Sequence, residues 1–151
     1  MTGCSLNGAS NPGKDTVTQE LDDIGEAVGV TGDDISRFGY GVNRNLPDDR
    51  CPDVDEDDRW VADRSAIYRA SSQDAALDGL IGRYRRLGAD VARFKSTASE
   101  TRVVIAVDSD RNIHVDAYVS AEGRTEAFVE HSPCGFDDIS TPKGPYEREP
   151  L

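Results

Sequence analysis

Residues 102–131 read RVVIAVDSDRNIHVDAYVSAEGRTEAFVEH. Val103, Ile105 and Val107 alternate with Val104 and Ala106. Ile113, Val115, Ala117 and Val119 alternate with His114, Asp116, Tyr118 and Ser120, and Ala127 and Val129 alternate with Phe128 and Glu130. A period of two held over this length marks strands with one buried face. Residues 108–112 and 122–124 are polar turn material between them. The stretch therefore predicts an antiparallel meander of strands at 102–108, 113–120 and 125–131.

Working upstream, Val91, Ala92 and Phe94 predict a further strand at 90–97. Residues 72–87 predict a helix, because Leu77, Leu80, Ile81, Tyr84 and Leu87 follow helical spacing. Ser71 is its expected cap, with Asp74 three residues on, and Gly88 its stop. Gly79 and Gly82 lie inside it and each costs about 1 kcal/mol relative to alanine. Close approach of the helix to the sheet is a physical reason to keep them. Trp60, Ala62, Ala66 and Tyr68 share one parity and suggest a strand at 59–69, interrupted by Asp63 and Arg64. A second helix is expected at 16–28, with Val17, Leu21, Ile24 and Val28 on one face, Thr16 as cap and Gly29 as stop. Asp33 or Asp34 is expected to cap a short turn carrying Ile35 and Phe38. The fold class that follows is α+β: an antiparallel sheet of four or five strands covered by one main helix, with an additional N-terminal helix. Residues 1–14 read as a flexible tether, 15–136 as a single domain and 137–151 as an irregular tail.

The chain of 151 residues carries a formal charge of −12, which repels duplex DNA, RNA and anionic membranes and argues against a nucleic-acid role. No stretch approaches the length of a membrane-spanning helix. Seven carboxylates stand within the eleven residues 48–58, so this segment is an exposed loop; Asp53, Asp55, Asp57 and Asp58, with Trp60 beside them, form a candidate binding surface.

Catalytic signatures are scarce. Neither a Gly-x-Ser-x-Gly elbow nor a glycine-rich loop with a lysine is present, and Gly39-Tyr40-Gly41 lacks the third glycine of a nucleotide loop. The two histidines, His114 and His131, have no Cys-x-x-Cys or His-x-x-x-His partner set, so zinc is not expected. Each reads as strand surface or a local hydrogen-bond former. Asp53-x-Asp55-x-Asp57 and Asp108-x-Asp110-x-Asn112 place oxygen donors at the first, third and fifth positions of a calcium loop. Both lack the glycine at the sixth position, where Asp58 and Ile113 stand, and the glutamate at the twelfth, where Arg64 and Val119 stand. No metal or cofactor is assigned.

Three cysteines are consistent with unrelated thiols, or with a Cys51–Cys134 pair that leaves Cys4 for another purpose. We take the pair as the expectation, because it would hold the acidic entrance segment against the last strand by closing a loop of 83 residues.

Gly3-Cys4-Ser5 resembles the end of a bacterial lipobox, with Met1-Thr2 where the hydrophobic signal would stand. From Cys51-Pro52, through Trp60 and the helix at 72–87, to Ser132-Pro133-Cys134, the layout resembles small actinobacterial cell-envelope lipoproteins. The resemblance implies a helix on an antiparallel sheet, lipid attachment at Cys4 and export to the outer face of the cell membrane. The expected function is then non-enzymatic binding of an envelope protein or small ligand, with contact to the membrane only through the lipid. The alternative is an exported hydrolase using acidic residues. An enclosed carboxylate pair would favour the hydrolase, and a shallow surface with exposed aromatics would favour binding.

Overall fold

The computed structural model describes residues 11–30 and 34–151. Cys4, most of the expected tether and Asp33 lie outside the described residues. The chain forms α1 (Lys14–Ala27), β1 (Ser36–Asn43), short 3-10 turns at Asp48–Arg50 and Glu56–Asp58, and β2 (Val61–Arg69). It continues through α2 (Gln73–Arg86), β3 (Asp90–Ser96), β4 (Arg102–Asp108), β5 (Ile113–Val119), β6 (Arg124–His131) and β7 (Tyr146–Glu149). All pairings are antiparallel, in the spatial order β1-β2-β6-β5-β4-β3-β7.

The sheet thus has seven strands rather than four or five, and the two unexpected strands are its edges. β1 carries Gly39 and Gly41 and no apolar alternation. Pairing with β2 makes it a strand, with a register shift between Phe38 and Tyr40. It replaces the turn expected around Ile35 and Phe38. β7 is Tyr-Glu-Arg-Glu, inside the stretch expected to be an irregular tail, and is held by backbone pairing to β3. Edge strands need little buried area, so periodicity does not announce them.

Two helices share one face of the sheet, which corrects the expectation of a single main cover: α1 lies on β2 and β6, α2 on β3, β4 and β5. Between them and the sheet sits the main core, including Val17, Leu21, Ile24, Leu80, Tyr84, Val115, Ala117 and Val129. Each large apolar side chain buried there is worth about 1.5–3 kcal/mol. α1 begins after Gly13, not at Thr16. Gly13 has φ +73°, and a Cβ there would meet Ala62 at 2.8 Å and the Trp60 ring at 2.9 Å. The cap of α2 is Ser72, whose Oγ accepts the Ala75 N–H at 3.0 Å. Gly79 does allow a close approach, but to the end of α1 rather than to the sheet: a Cβ would fall 2.0 Å from the Ala27 carbonyl oxygen. Arg64 occupies the core parity of β2 because its Nη1 donates to Thr18 Oγ1 on α1 at 2.7 Å.

Among the described residues, no helix packs on the opposite face of the sheet. Ala92, Phe94, Val103 and Ile105 form a small second cluster there, packed by Tyr118, Ile139 and Tyr146. Residues 132–145 run past this face, which is why β4 is buried on both sides while β5 and β6 are not.

Candidate functional site on the open sheet face

Cys51 and Cys134 are joined by a disulfide, with Cα atoms 5.2 Å apart. Asp53, Asp55, Asp57 and Asp58 are exposed on the loop that follows it. Trp60 is half-buried and packs on the main core; its ring meets His131 edge-on, with centroids 5.6 Å apart. The loop carboxylates face solvent while the indole packs inward. Asp108, from the second calcium-like stretch, shapes its turn instead: it accepts the Arg111 backbone N–H at 3.2 Å and the Arg111 Nε at 2.6 Å. His131 Nδ1 contacts the Asn112 carbonyl at 2.9 Å, a local bond of the kind expected for it.

The richest chemistry stands on the open face, where the non-core parity of β5 and β6 meets that of β2. Register sets Asp63 against Glu130, Glu130 against His114, Phe128 against Asp116, and Glu126 against Tyr118. His114 bridges two carboxylates, with Nδ1 3.2 Å from Glu130 Oε1 and Nε2 3.5 Å from Asp116 Oδ1. Burial opposes charging the imidazole, but the hydrogen bond to Glu130 and the charges of Asp116 and Glu130 outweigh it and hold its pKa above the usual value. Asp116 is pushed up by burial and by Glu130 against the pull of His114. Asp63 is pushed up by burial and by Glu130. The Phe136 ring lies over His114 with centroids 5.5 Å apart. Arg50 holds that segment: its guanidinium sits 5.6 Å from the Phe136 centroid and donates to the Gly135 carbonyl at 2.8 Å. The disulfide therefore anchors the cover of His114 as well as the acidic loop.

Beside this cluster the face becomes aromatic. Asp116, Tyr118, Glu126 and Phe128 line a shallow concavity of about 640 Å³. It adjoins a groove of about 350 Å³ between the sheet and residues 138–143, with Asp116 and Tyr118 common to both. Phe128 is 40% exposed and Phe38, on the same face, 46%. His114 makes a local hydrogen bond, to Glu130, as one of its two expected roles allows. The sequence alone does not single out Tyr118, Glu126, Phe128 or Glu130 as site residues, and it places Asp116 only after a calcium-like stretch. A usable signal was present: the non-core parity of two adjacent strands reads His-x-Asp-x-Tyr and Glu-x-Phe-x-Glu.

A second polar cluster is internal. Glu20 receives Arg83 Nη2 at 3.1 Å, Arg111 Nη1 at 2.7 Å and the Tyr84 hydroxyl at 2.5 Å. These bonds tie α1 to α2 and to the β4–β5 turn, which is a structural clamp. Among the described residues, no group of three or more His, Cys, Asp or Glu side chains is placed to hold a metal ion, and no helix is long and apolar enough to cross a membrane.

The chain matches no protein-family model, no curated protein and no solved structure.

Proposed function

We propose that this chain is the exported part of a cell-envelope lipoprotein, anchored through Cys4, and that it binds a partner protein or small ligand without catalysis. The open sheet face is its binding surface. The observation that carries this reading is the shallow concavity floored by Tyr118 and Phe128 and bordered by Asp116 and Glu126. A half-buried and an exposed ring gathered beside fixed charges in one concavity make the mixed apolar and polar lining of a recognition surface. The Cys51–Cys134 disulfide supports an oxidising compartment. The hydrolase alternative calls for an enclosed carboxylate pair free to act. The two buried carboxylates, Glu20 and Asp108, are both engaged by Arg111, and Asp63 and Glu130 stand on the open face, with Glu130 41% exposed.

The test is capture from cell-envelope extract on immobilised oxidised domain, compared with the Phe38→Ser/Phe128→Ser variant. Loss of the captured species in the variant is expected, and undiminished capture overturns the assignment of this face. Anchoring is tested separately in cells: the protein expressed from its own gene partitions into detergent, and Cys4→Ala releases it to the aqueous phase.

A further inference from the structure

We propose that the concavity of Tyr118, Phe128, Asp116 and Glu126 takes an alkylated ammonium group. This rests on the binding reading above and names the head group that the open face recognises.

The β5–β6 register sets Asp116 opposite Phe128 and Tyr118 opposite Glu126. Ring and carboxylate therefore alternate on a two-by-two patch, each ring flanked by one carboxylate along its own strand and one across from it on the partner strand. The Tyr118 and Phe128 rings meet at 86° with centroids 6.0 Å apart. Tyr146 stands on Tyr118 at 67° and 6.4 Å, fixing that ring from another side. Two ring planes at right angles make a corner in which a tetrahedral ammonium rests its alkyl groups against the ring surfaces, while the ring quadrupoles attract its charge. Asp116 and Glu126 supply the opposite charge at the rim of the same concavity.

The field agrees with the geometry. Burial first, then the charges of Asp116, Tyr146 and Glu126, push the Tyr118 hydroxyl above its ordinary pKa. The carboxylates are only partly engaged by protein cations, since His114 Nε2 and Arg124 Nη1 each stand 3.5 Å from them. A bare metal ion is a poor fit, because no converging set of oxygen ligands exists among the described residues. A primary ammonium could donate to the carboxylates but is more strongly hydrated and gains less from the ring faces than an alkylated one. Alkyl substitution removes that hydration and suits the walls. The adjoining groove offers Ser140, Thr141 and Lys143 to the remainder of a longer ligand.

The test is a ¹H–¹⁵N NMR titration of the oxidised chain with choline chloride and, in parallel, with its uncharged isostere 3,3-dimethylbutan-1-ol. Choline is expected to shift the amides of residues 116–118 and 126–128 saturably, with the isostere about tenfold weaker. Phe128→Leu should weaken choline by about tenfold and Glu126→Gln by about threefold. Phosphatidylcholine vesicles distinguish the sources: sedimentation with vesicles that free choline reverses identifies a lipid head group, and choline binding without sedimentation identifies a free cation. Equal affinity for the isostere overturns the ammonium assignment and leaves the face as a binding surface. Absence of saturable choline shifts, with aromatic-dependent capture from extract retained, overturns this inference alone. Loss of both overturns both.

Discussion

Glu20 is 2% exposed and is charged only because three donors converge on it. Burial works to raise its pKa, but the hydrogen bonds from Arg111 and Tyr84 and the charges of Arg83 and Arg111 bring it below the usual 4.5. A carboxylate depressed in the folded state contributes stability that is fully present above its unfolded pKa and is lost as pH falls through the folded one. Acid unfolding of the wild type should therefore steepen below pH 4.5. Glu20→Ala should flatten that limb while lowering stability at pH 7 by about 3 kcal/mol, measured by urea unfolding. The figure belongs at the low end of the range because Arg111 is 36% exposed and regains water. His114 runs in the opposite sense. Its folded pKa is raised, so its contribution is complete below pH 6.5 and is lost as pH rises through the folded value. An NMR titration of its imidazole should give a midpoint above 6.5, and Glu130→Gln should lower that midpoint. A midpoint unchanged by the substitution would mean that the Glu130 contact does not hold the charge.

At the scale of elements, the two interior glycines of α2 have different reasons to exist. Gly79 presses on the Ala27 carbonyl, where a Cβ would fall at 2.0 Å. Gly82 faces only the mobile end of Arg86, at 3.1 Å. Gly79→Ala gains helix propensity but forces α2 away from α1, so a net loss of about 2 kcal/mol is expected. Gly82→Ala should stabilise by up to about 1 kcal/mol, since the arginine can swing aside. Melting curves of the two single variants moving in opposite directions would confirm the distinction, and a shared direction would refute it. The edge strands make the same point about context. β1 and β7 have weak local preferences and exist because β2 and β3 present unpaired backbone groups to them.

Across the whole molecule, the disulfide joins the segment before β2 to the segment after β6. Phe136, two residues beyond Cys134, then covers His114, and Arg50, next to Cys51, packs on Phe136. Closing an 83-residue loop removes about 4–5 kcal/mol of unfolded-state freedom in the chain-entropy estimate. The Cys51→Ser/Cys134→Ser variant should melt well below wild type and be cut by protease within residues 45–60. It should also loosen Phe136 from His114, seen as a change in the imidazole titration that reduction of the wild type reproduces. Unchanged melting would show that the core alone holds these segments.

The central strands and both helices were legible in the sequence, and the cysteine pair was an expectation that the structure bears out. Alternation at 113–131 and the apolar stripe of 72–87 are local patterns that only one packing direction satisfies, whereas β4, apolar at both parities, is buried on both faces and not on one. The staple was legible because Cys51 and Cys134 bracket the main helix and the meander. The tertiary structure alone decided the strand count, since β1 and β7 are stabilised by partners distant in sequence and carry no period of their own. It also decided the site. His114, Asp116 and Tyr118 looked like ordinary outward positions because alternation says which residues leave the core and not what they meet there. Their meaning came from the β5–β6 register, which aligned them with Glu130, Phe128 and Glu126, and from the passage of residues 132–145 over one part of that face and not the rest. Side-chain periodicity is local, whereas the juxtaposition of charges and rings across strands is set by backbone pairing between segments that the chain order keeps apart.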